Sequence, residues 1–390
     1  MKKSILAIAV LGAFAGAAQA QSSVTVYGVA DIGYKANKDE GAGGSMKSSG
    51  ISDGAVAGNR IGFRGTEDLG GGLKANFVIE QGISPTNDEL FATRTATAGH
   101  QVDGQSAAAN GAYSNGTNRQ SWVGLSGGFG EVRIGYQYTN LYSISSLSGY
   151  NTTSEGVRGA ENYHLHGQQV VGGTRANGIT YITPNFSGFQ ATVQYGANSP
   201  GRESIEVGTA KIEGTRLGLR LNYAAGPISA DLAHTQTKSR STAASLTGLS
   251  AFGVAVPTTA SANLGERTGK LTQGAFSYNF GVAKLTASVN SGEDGGTAAT
   301  TVNSKYKSAQ VGVRVPVGAF ALVGSYGRAK TEAAGVNTFD EKGYQVGAQY
   351  SLSKRTMAYV YHGRSKDEGT ARAALWAEKQ STIVGIFHSF

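Results

Sequence analysis

A chain of 390 residues with 34 Lys and Arg against 26 Asp and Glu, a formal net charge of +8 and no cysteine can build neither a disulfide framework nor a thiolate metal centre. Its 58 glycines, about twice the usual share, recur inside alternating segments beside Tyr, Phe and Val rather than in a linker, and only 6 prolines accompany them. Beyond the first twenty residues there is no apolar run of about 18 residues, which excludes an α-helical membrane protein but not a barrel whose strands are apolar only at alternate positions.

At the start of the chain, Lys2 and Lys3 precede an apolar run from Ile5 to Ala18 and the small-residue site Ala18-Gln19-Ala20. This is the layout of a cleavable secretory signal, and the run is too short for a spanning anchor, which needs about twenty residues. Residues 1–20 are therefore expected to be removed, leaving residues 21–390 as a single β-barrel domain. Losing the two leader lysines lowers the net charge to +6. The basic residues are scattered and lack the clustered stripe of a nucleic-acid binder, so no nucleic-acid partner is expected.

The strands follow in order. Asn59 to Asp68 sets Ile61 and Phe63 on one face and Arg60, Arg64 and Thr66 on the other, then turns at Leu69-Gly70-Gly71-Gly72. Its return sets Leu73, Ala75, Phe77 and Ile79 against Lys74, Asn76 and Glu80. After the turn Ser126-Gly127-Gly128-Phe129-Gly130, Val132, Ile134, Tyr136 and Tyr138 alternate with Glu131, Arg133 and Gln137. Later segments repeat the scheme: Leu217, Leu219 and Leu221 oppose Arg216 and Arg220, and Val311, Val313 and Val315 oppose Gln310 and Arg314.

Counted in this way, sixteen strands begin near Val24, Asn59, Gly72, Asn118, Gly130, Thr174, Phe189, Gly214, Pro227, Gly269, Val282, Tyr306, Ala319, Glu341, Arg355 and Gln380. Long connections are expected near residues 35–58, 82–117, 139–173, 197–213, 237–268, 291–305, 330–340 and 365–379, with short turns between them. A chain without spanning helices can cross hydrocarbon only as a closed sheet, and an even strand number suits a bacterial barrel. The reading is an all-β, transmembrane, 16-stranded antiparallel barrel with short periplasmic turns and long external loops. A soluble sandwich fits less well, because the second face of each strand carries charge rather than a second apolar core.

Strand parity points Arg60, Arg64, Lys74, Arg133, Arg216, Arg220 and Arg314 inward. A charge on the lipid face would cost about 2–4 kcal/mol near the midplane, so parity and energetics agree. The same arginines could instead pair with wall carboxylates such as Glu80 and Glu131 and stiffen the wall. His164 and His166 form a His-x-His pair without a third ligand at sensible spacing, so neither a metal nor a cofactor is expected. The triplets starting at Asn115 and Asn151 match a glycosylation pattern too short to carry weight. No nucleotide-binding glycine loop occurs, and His234, His362 and His388 lie on separate strands, so an enzymatic barrel is not expected.

The run Arg-Ile-Gly-Phe-Arg-Gly-Thr-Glu-Asp-Leu-Gly-Gly-Gly-Leu-Lys-Ala-Asn-Phe-Val-Ile-Glu from Arg60 to Glu80 closely resembles the general diffusion porins of the betaproteobacterial type. Val24-Thr25-Val26-Tyr27-Gly28-Val29, Trp122 to Gly130, Tyr181 to Phe189, Leu352 to Thr356 and Val384 to Phe390 are similar to that family too, in order along the whole mature chain. The resemblance implies a Gram-negative outer-membrane channel for passive diffusion of ions and small hydrophilic solutes, built as a homotrimer with the third loop folded into the lumen. It further implies that Phe390, with His388, Ile386 and Val384 on its face, is the signal read by the outer-membrane assembly machinery. Outer-membrane lipid and lipopolysaccharide would surround the barrel. In that family the third loop faces a basic wall, here expected to be Arg60, Arg64, Lys74 and Arg133, with Glu155 and Glu161 as acidic counterparts. Tyr136 departs from the pattern, since many relatives place an arginine there. The surplus of positive charge leads to an expected mild anion preference.

Overall fold

The computed structural model describes residues 23–86, 118–145, 166–167, 171, 173–197, 204–207, 210–241, 265–297, 302–370 and 377–390. Its elements are β1 (Ser23–Gly41), β2 (Gly44–Asp53), β3 (Arg60–Gly70), β4 (Leu73–Gly82), β5 (Asn118–Gly127), β6 (Gly130–Tyr138), the helix α1 (Asn140–Ser145), β7 (Arg175–Ile182), β8 (Phe189–Ala197), β9 (Ser204–Val207) and β10 (Ala210–Ala225). There follow β11 (Ile228–Ser241), β12 (Gly265–Asn279), β13 (Lys284–Gly296), β14 (Ser304–Val317), β15 (Phe320–Ala333), β16 (Val336–Ser351), β17 (Thr356–Asp367) and β18 (Glu378–Ser389).

All pairings are antiparallel, and the last strand returns to the first, with Val29 opposite Ser389 and Glu40 opposite Glu378, which closes the ring. The 18 segments of the sheet fill sixteen wall positions. β3 and β2 pair successively with the two halves of β1, and β8 and β9 pair successively with β10, so each of these couples is one wall strand in two pieces.

Large apolar side chains point away from the lumen and stay accessible on the outer wall: Phe63, Ile79, Val123, Ile134, Leu219, Val311, Leu322, Val346 and Ile386 are all exposed. In hydrocarbon this surface is solvated by lipid, so a wall that looks inside out for a soluble protein is the stable arrangement.

Two expected long loops are strand instead. Residues 35–53 form the paired ends of β1 and β2, with only residues 42–43 between them, and residues 330–340 lie largely in β15 and β16, which turn at Ala334-Gly335. The sequence of β2 hides this because most of its first seven residues are exposed whichever way they point. A strand wetted on both faces carries no binary pattern to read.

Two segments enter the ring. Between β2 and β3, residues 54–59 turn inward, and Ala55 and Val56 pack on Tyr359, Tyr361, Ile383 and Val323 of the inner wall. Asp31 latches them: its carboxylate accepts from the amides of Val56 (2.7 Å) and Ala57 (2.9 Å) and from the Tyr359 hydroxyl (2.7 Å). Only glycine suits position 54, since a Cβ there would meet the Asp31 carboxyl group. The second segment begins at α1, whose Leu141 and Ile144 are fully buried with Val171 against Ala233, Leu271 and Ala275 of β11 and β12. His166 stacks on Phe339 (5.2 Å between ring centres) and meets the Lys330 carbonyl and the Thr331 hydroxyl. The start and end of the third connection thus lie along the inside of the wall, as the resemblance implies for that loop.

The seam is finished by Phe390, whose amide donates to the Gly28 carbonyl (3.2 Å) while the Gly28 amide donates back (3.1 Å). Any Cβ at position 28 would collide with the Phe390 ring. Gly28→Leu should therefore cost about 1–3 kcal/mol through overpacking, read as a lower urea midpoint in unfolding followed by tryptophan emission, with Ala30→Leu as the unaffected control.

Candidate functional site

The side of the sheet that faces the lumen is identified by α1. This helix packs on the β11–β12 wall through Leu141 and Ile144, while its Tyr142 stacks at 4.5 Å on Tyr138 at the end of β6. Whatever clusters with Tyr138 therefore faces the interior.

That cluster centres on Glu80. One carboxylate oxygen accepts from Arg119 Nε (2.9 Å) and from the Tyr138 hydroxyl (2.8 Å), and the other accepts from the Tyr27 hydroxyl (2.9 Å). Arg119 also donates to Tyr138 (2.7 Å), and Arg60 approaches the same carboxylate at 3.8 Å. The side chains of Arg119 and Glu80 are almost fully buried, at 3% and 5% exposure. Removing one member would strand the other charge without water.

Below this brace, toward the short turns, the register sets the cations on successive rungs about 7 Å apart. Arg64 lies opposite Val78, which lies opposite Trp122. On the next rung Asn76, Gly124 and Arg133 follow one another, and below that come Asp68, Lys74, Ser126 and Glu131. Arg64 is exposed, its guanidinium 5.3 Å from the centre of the Tyr27 ring. Arg133 lies 4.4 Å over Trp122 and pairs with Glu131 at 2.7 Å. Lys74 is exposed. Among the described residues no carboxylate lies within ion-pair distance of Arg64 or Lys74.

The other inward cations are spent on the wall. Arg220 is bound to Asp231 (2.6 Å), and Arg314 donates to Gln349. Arg216 is 1% exposed, its guanidinium donating to the Gly173 carbonyl at 3.3 Å where the third connection returns. It sits on the inner face yet does not border water. Glu155, Glu161 and His164 lie outside the described residues.

Parity misses Arg119 and misplaces Tyr138. Arg119 counts with Val123 and Leu125 on the outward face, but a bulge where Glu80-Gln81 meets Asn118-Gln120 shifts the register and turns it inward. Tyr138 counts with Ile134 on the outward face, but it is the last residue of β6, where the chain bends into α1, and it joins the inner cluster. A buried glutamate in an otherwise polar-inward strand was the one signal that a buried cation had to be near.

A closed sheet, an apolar outer belt and a cationic inner wall facing inserted segments define an outer-membrane channel barrel. The model of the Gram-negative porins matches residues 7–370 of the chain, which belongs to that family. It is 33% identical to outer membrane porin protein 32 of Delftia acidovorans over 100% of both chains. The solved anion-selective porin from Comamonas acidovorans superposes with a TM-score of 0.68 at 26% identity, covering 95% of this chain and 100% of that one. The in-vitro folded OmpT of Vibrio cholerae, solved in a trimer form, shares the fold at a TM-score of 0.62 and 14% identity, over 95% of this chain and 99% of its own.

Glu80→Gln should destabilise the barrel by about 3–5 kcal/mol, the usual cost of leaving a buried partner charge uncompensated. Urea unfolding followed by tryptophan emission measures it, and Glu131→Gln, whose partner Arg133 is more exposed, should cost far less.

Proposed function

We propose that this chain, after loss of residues 1–20, assembles as a homotrimer in the outer membrane and forms a water-filled pore for passive diffusion of ions and small hydrophilic solutes, with a mild preference for anions. One observation carries the preference: Arg64 and Lys74 stand exposed on the inner wall with no carboxylate partner among the described residues, while inserted segments cover parts of the wall between β11 and β18. A low-dielectric wall focuses such unpaired charge onto a passing ion. Arg133 adds to it, held by Trp122, whereas Arg60 and Arg119 serve the Glu80 brace. The anion selectivity of the Comamonas porin supports the same sign here, and the trimer form of the Vibrio protein supports the assembly. Glu155 and Glu161 are proposed as the acids facing the basic wall, and Phe390 as the feature recognised by the assembly machinery. Outer-membrane lipid, including lipopolysaccharide, is the proposed surround of the barrel. The pore reading needs no enzymatic step and no cofactor.

Zero-current potentials in a potassium chloride gradient across a planar bilayer test this reading. The unaltered protein should favour chloride. A unit charge about 4 Å from the ion path is worth ~1 kcal/mol in water, favouring chloride and opposing potassium, so Arg64→Gln should lower the chloride term by up to about fivefold and raise the potassium term, and the chloride-to-potassium permeability ratio should fall. A cation-selective unaltered pore would remove the anion preference, and absence of conductance would remove the pore.

A further inference from the structure

Where the third connection returns over the inner wall, it buries polar groups that the fold itself does not satisfy. Arg216 of β10 is 1% exposed, and among the described residues its guanidinium has one hydrogen bond, to the Gly173 carbonyl at 3.3 Å, and no carboxylate within ion-pair distance. Its Nε–H has no acceptor. A guanidinium cannot shed its proton in a protein, so it has no way to neutralise itself as a buried lysine or carboxyl group does. A buried charge of this kind needs a counter-charge, and a single carbonyl does not supply one.

The neighbours of Arg216 are donors too. The Gly173 carbonyl also accepts from Thr139 Oγ1 (3.4 Å) at the start of α1, and the next residue, Asn140, is buried with no partner for its Nδ2 amide. Gly218, the next inward position along β10, stands opposite Thr235 of β11 and Gln194 of β8. A Cβ at position 218 would lie 3.2 Å from Asn140 Nδ2 and 3.4 Å from Thr235 Oγ1, so both groups border the bare glycine. The Thr235 hydroxyl is buried and unpartnered as well. Three donors, one of them charged, thus gather beside a position without a side chain. The inward carboxylate of β11, Asp231, is already held by Arg220 at 2.6 Å.

We propose that Arg216, Asn140 and Thr235 hold a resident monatomic anion of the halide class, chloride above all, behind the root of the third connection. The ion supplies the counter-charge that Arg216 lacks and ties the start of α1 to β10 and β11. Three donor groups suit a monatomic ion, whereas an oxyanion would bring several acceptor oxygens and leave most of them bare in a buried place. Gln194 Oε1, a buried acceptor on the adjoining strand, is unpartnered too, and one water donating both to it and to the anion completes the set. Arg216 does not border the lumen water, so this ion is structural and takes no part in permeation. The inference is independent of the pore and of its ion preference.

The test uses the whole folded barrel in detergent and has two readouts. Crystals soaked in sodium bromide should show an anomalous peak in contact with the Arg216 guanidinium, Asn140 Nδ2 and Thr235 Oγ1. In solution, urea unfolding is followed by tryptophan emission at constant ionic strength while chloride replaces gluconate, an anion too large for the site. A ligand that binds only the folded state stabilises it logarithmically with concentration, so the midpoint should climb with the logarithm of chloride concentration. Arg216→Met should abolish both the climb and the bromide peak. If that variant does not fold, Gly218→Ala keeps the charge but sets a methyl group against both neutral donors, and it should weaken chloride binding by about tenfold or more, the size of effect that 1.4 kcal/mol produces. Water alone at the guanidinium, or a carboxylate of the chain in place of the halide, overturns the proposal. So does a bromide peak in a protein whose chloride dependence matches that of the variants. A barrel that shows the site but does not conduct would defeat the pore reading and leave this inference standing.

Discussion

A backbone amide in hydrocarbon has no water to bond, and each unsatisfied group there costs several kcal/mol. The closing pairs between β1 and β18 are therefore the interaction on which the rest depends, because they leave the sheet without an edge. β1 bears more of this duty than any other strand: it holds β18 along one side and both β3 and β2 along the other. Phe390 completes the seam, and the absence of a side chain at Gly28 gives its ring a place to lie. Once the ring is closed, lipid dictates apolar residues at every second position, and the alternate positions are free to be polar.

That freedom creates a second requirement, since a polar inner wall must satisfy or hydrate its groups. The protein divides the wall. Where inserted segments cover it, inward residues revert to apolar packing, as Leu271 and Ala275 do under α1 and Tyr359 and Ile383 do under residues 54–56. Where it stays open, along β3–β6, Arg64, Lys74 and Arg133 stand among polar and acidic neighbours such as Asn76, Asp68 and Glu131, and aromatic faces at Tyr27 and Trp122 back Arg64 and Arg133. The buried Glu80–Arg119 pair anchors this open wall beside the covered one. Passage and rigidity thus share one strip of sheet, with different arginines assigned to each.

The hairpin from Arg60 to Glu80 was legible because lipid on one face and water on the other impose the full alternation. The β1–β2 extension was not, because both of its faces meet water and nothing separates them in sequence. Arg119 escaped because a single extra residue at a bulge inverts parity beyond it, and a sequence does not mark where the partner strand slips. Arg216 read as an inward cation and is one, but its burial depends on the third connection returning over it, a contact between residues 43 apart. The inward turn of residues 54–59 follows from a carboxylate 25 residues earlier, Asp31, whose partners are set only when the ring closes.

Neighbouring residues 63 and 64 oppose the two environments most sharply, and the chain has no native cysteine to confuse a label. Single cysteines at Phe63 and Arg64, in protein reconstituted into bilayers, should behave oppositely. A membrane-impermeant anionic thiol reagent should modify the cysteine at 64 and reduce the current, while a bimane at 63 should be quenched by brominated lipid and its thiol spared by the aqueous reagent. Lipid quenching at 64 with aqueous modification at 63 would contradict the assignment of the two faces and the account built on it.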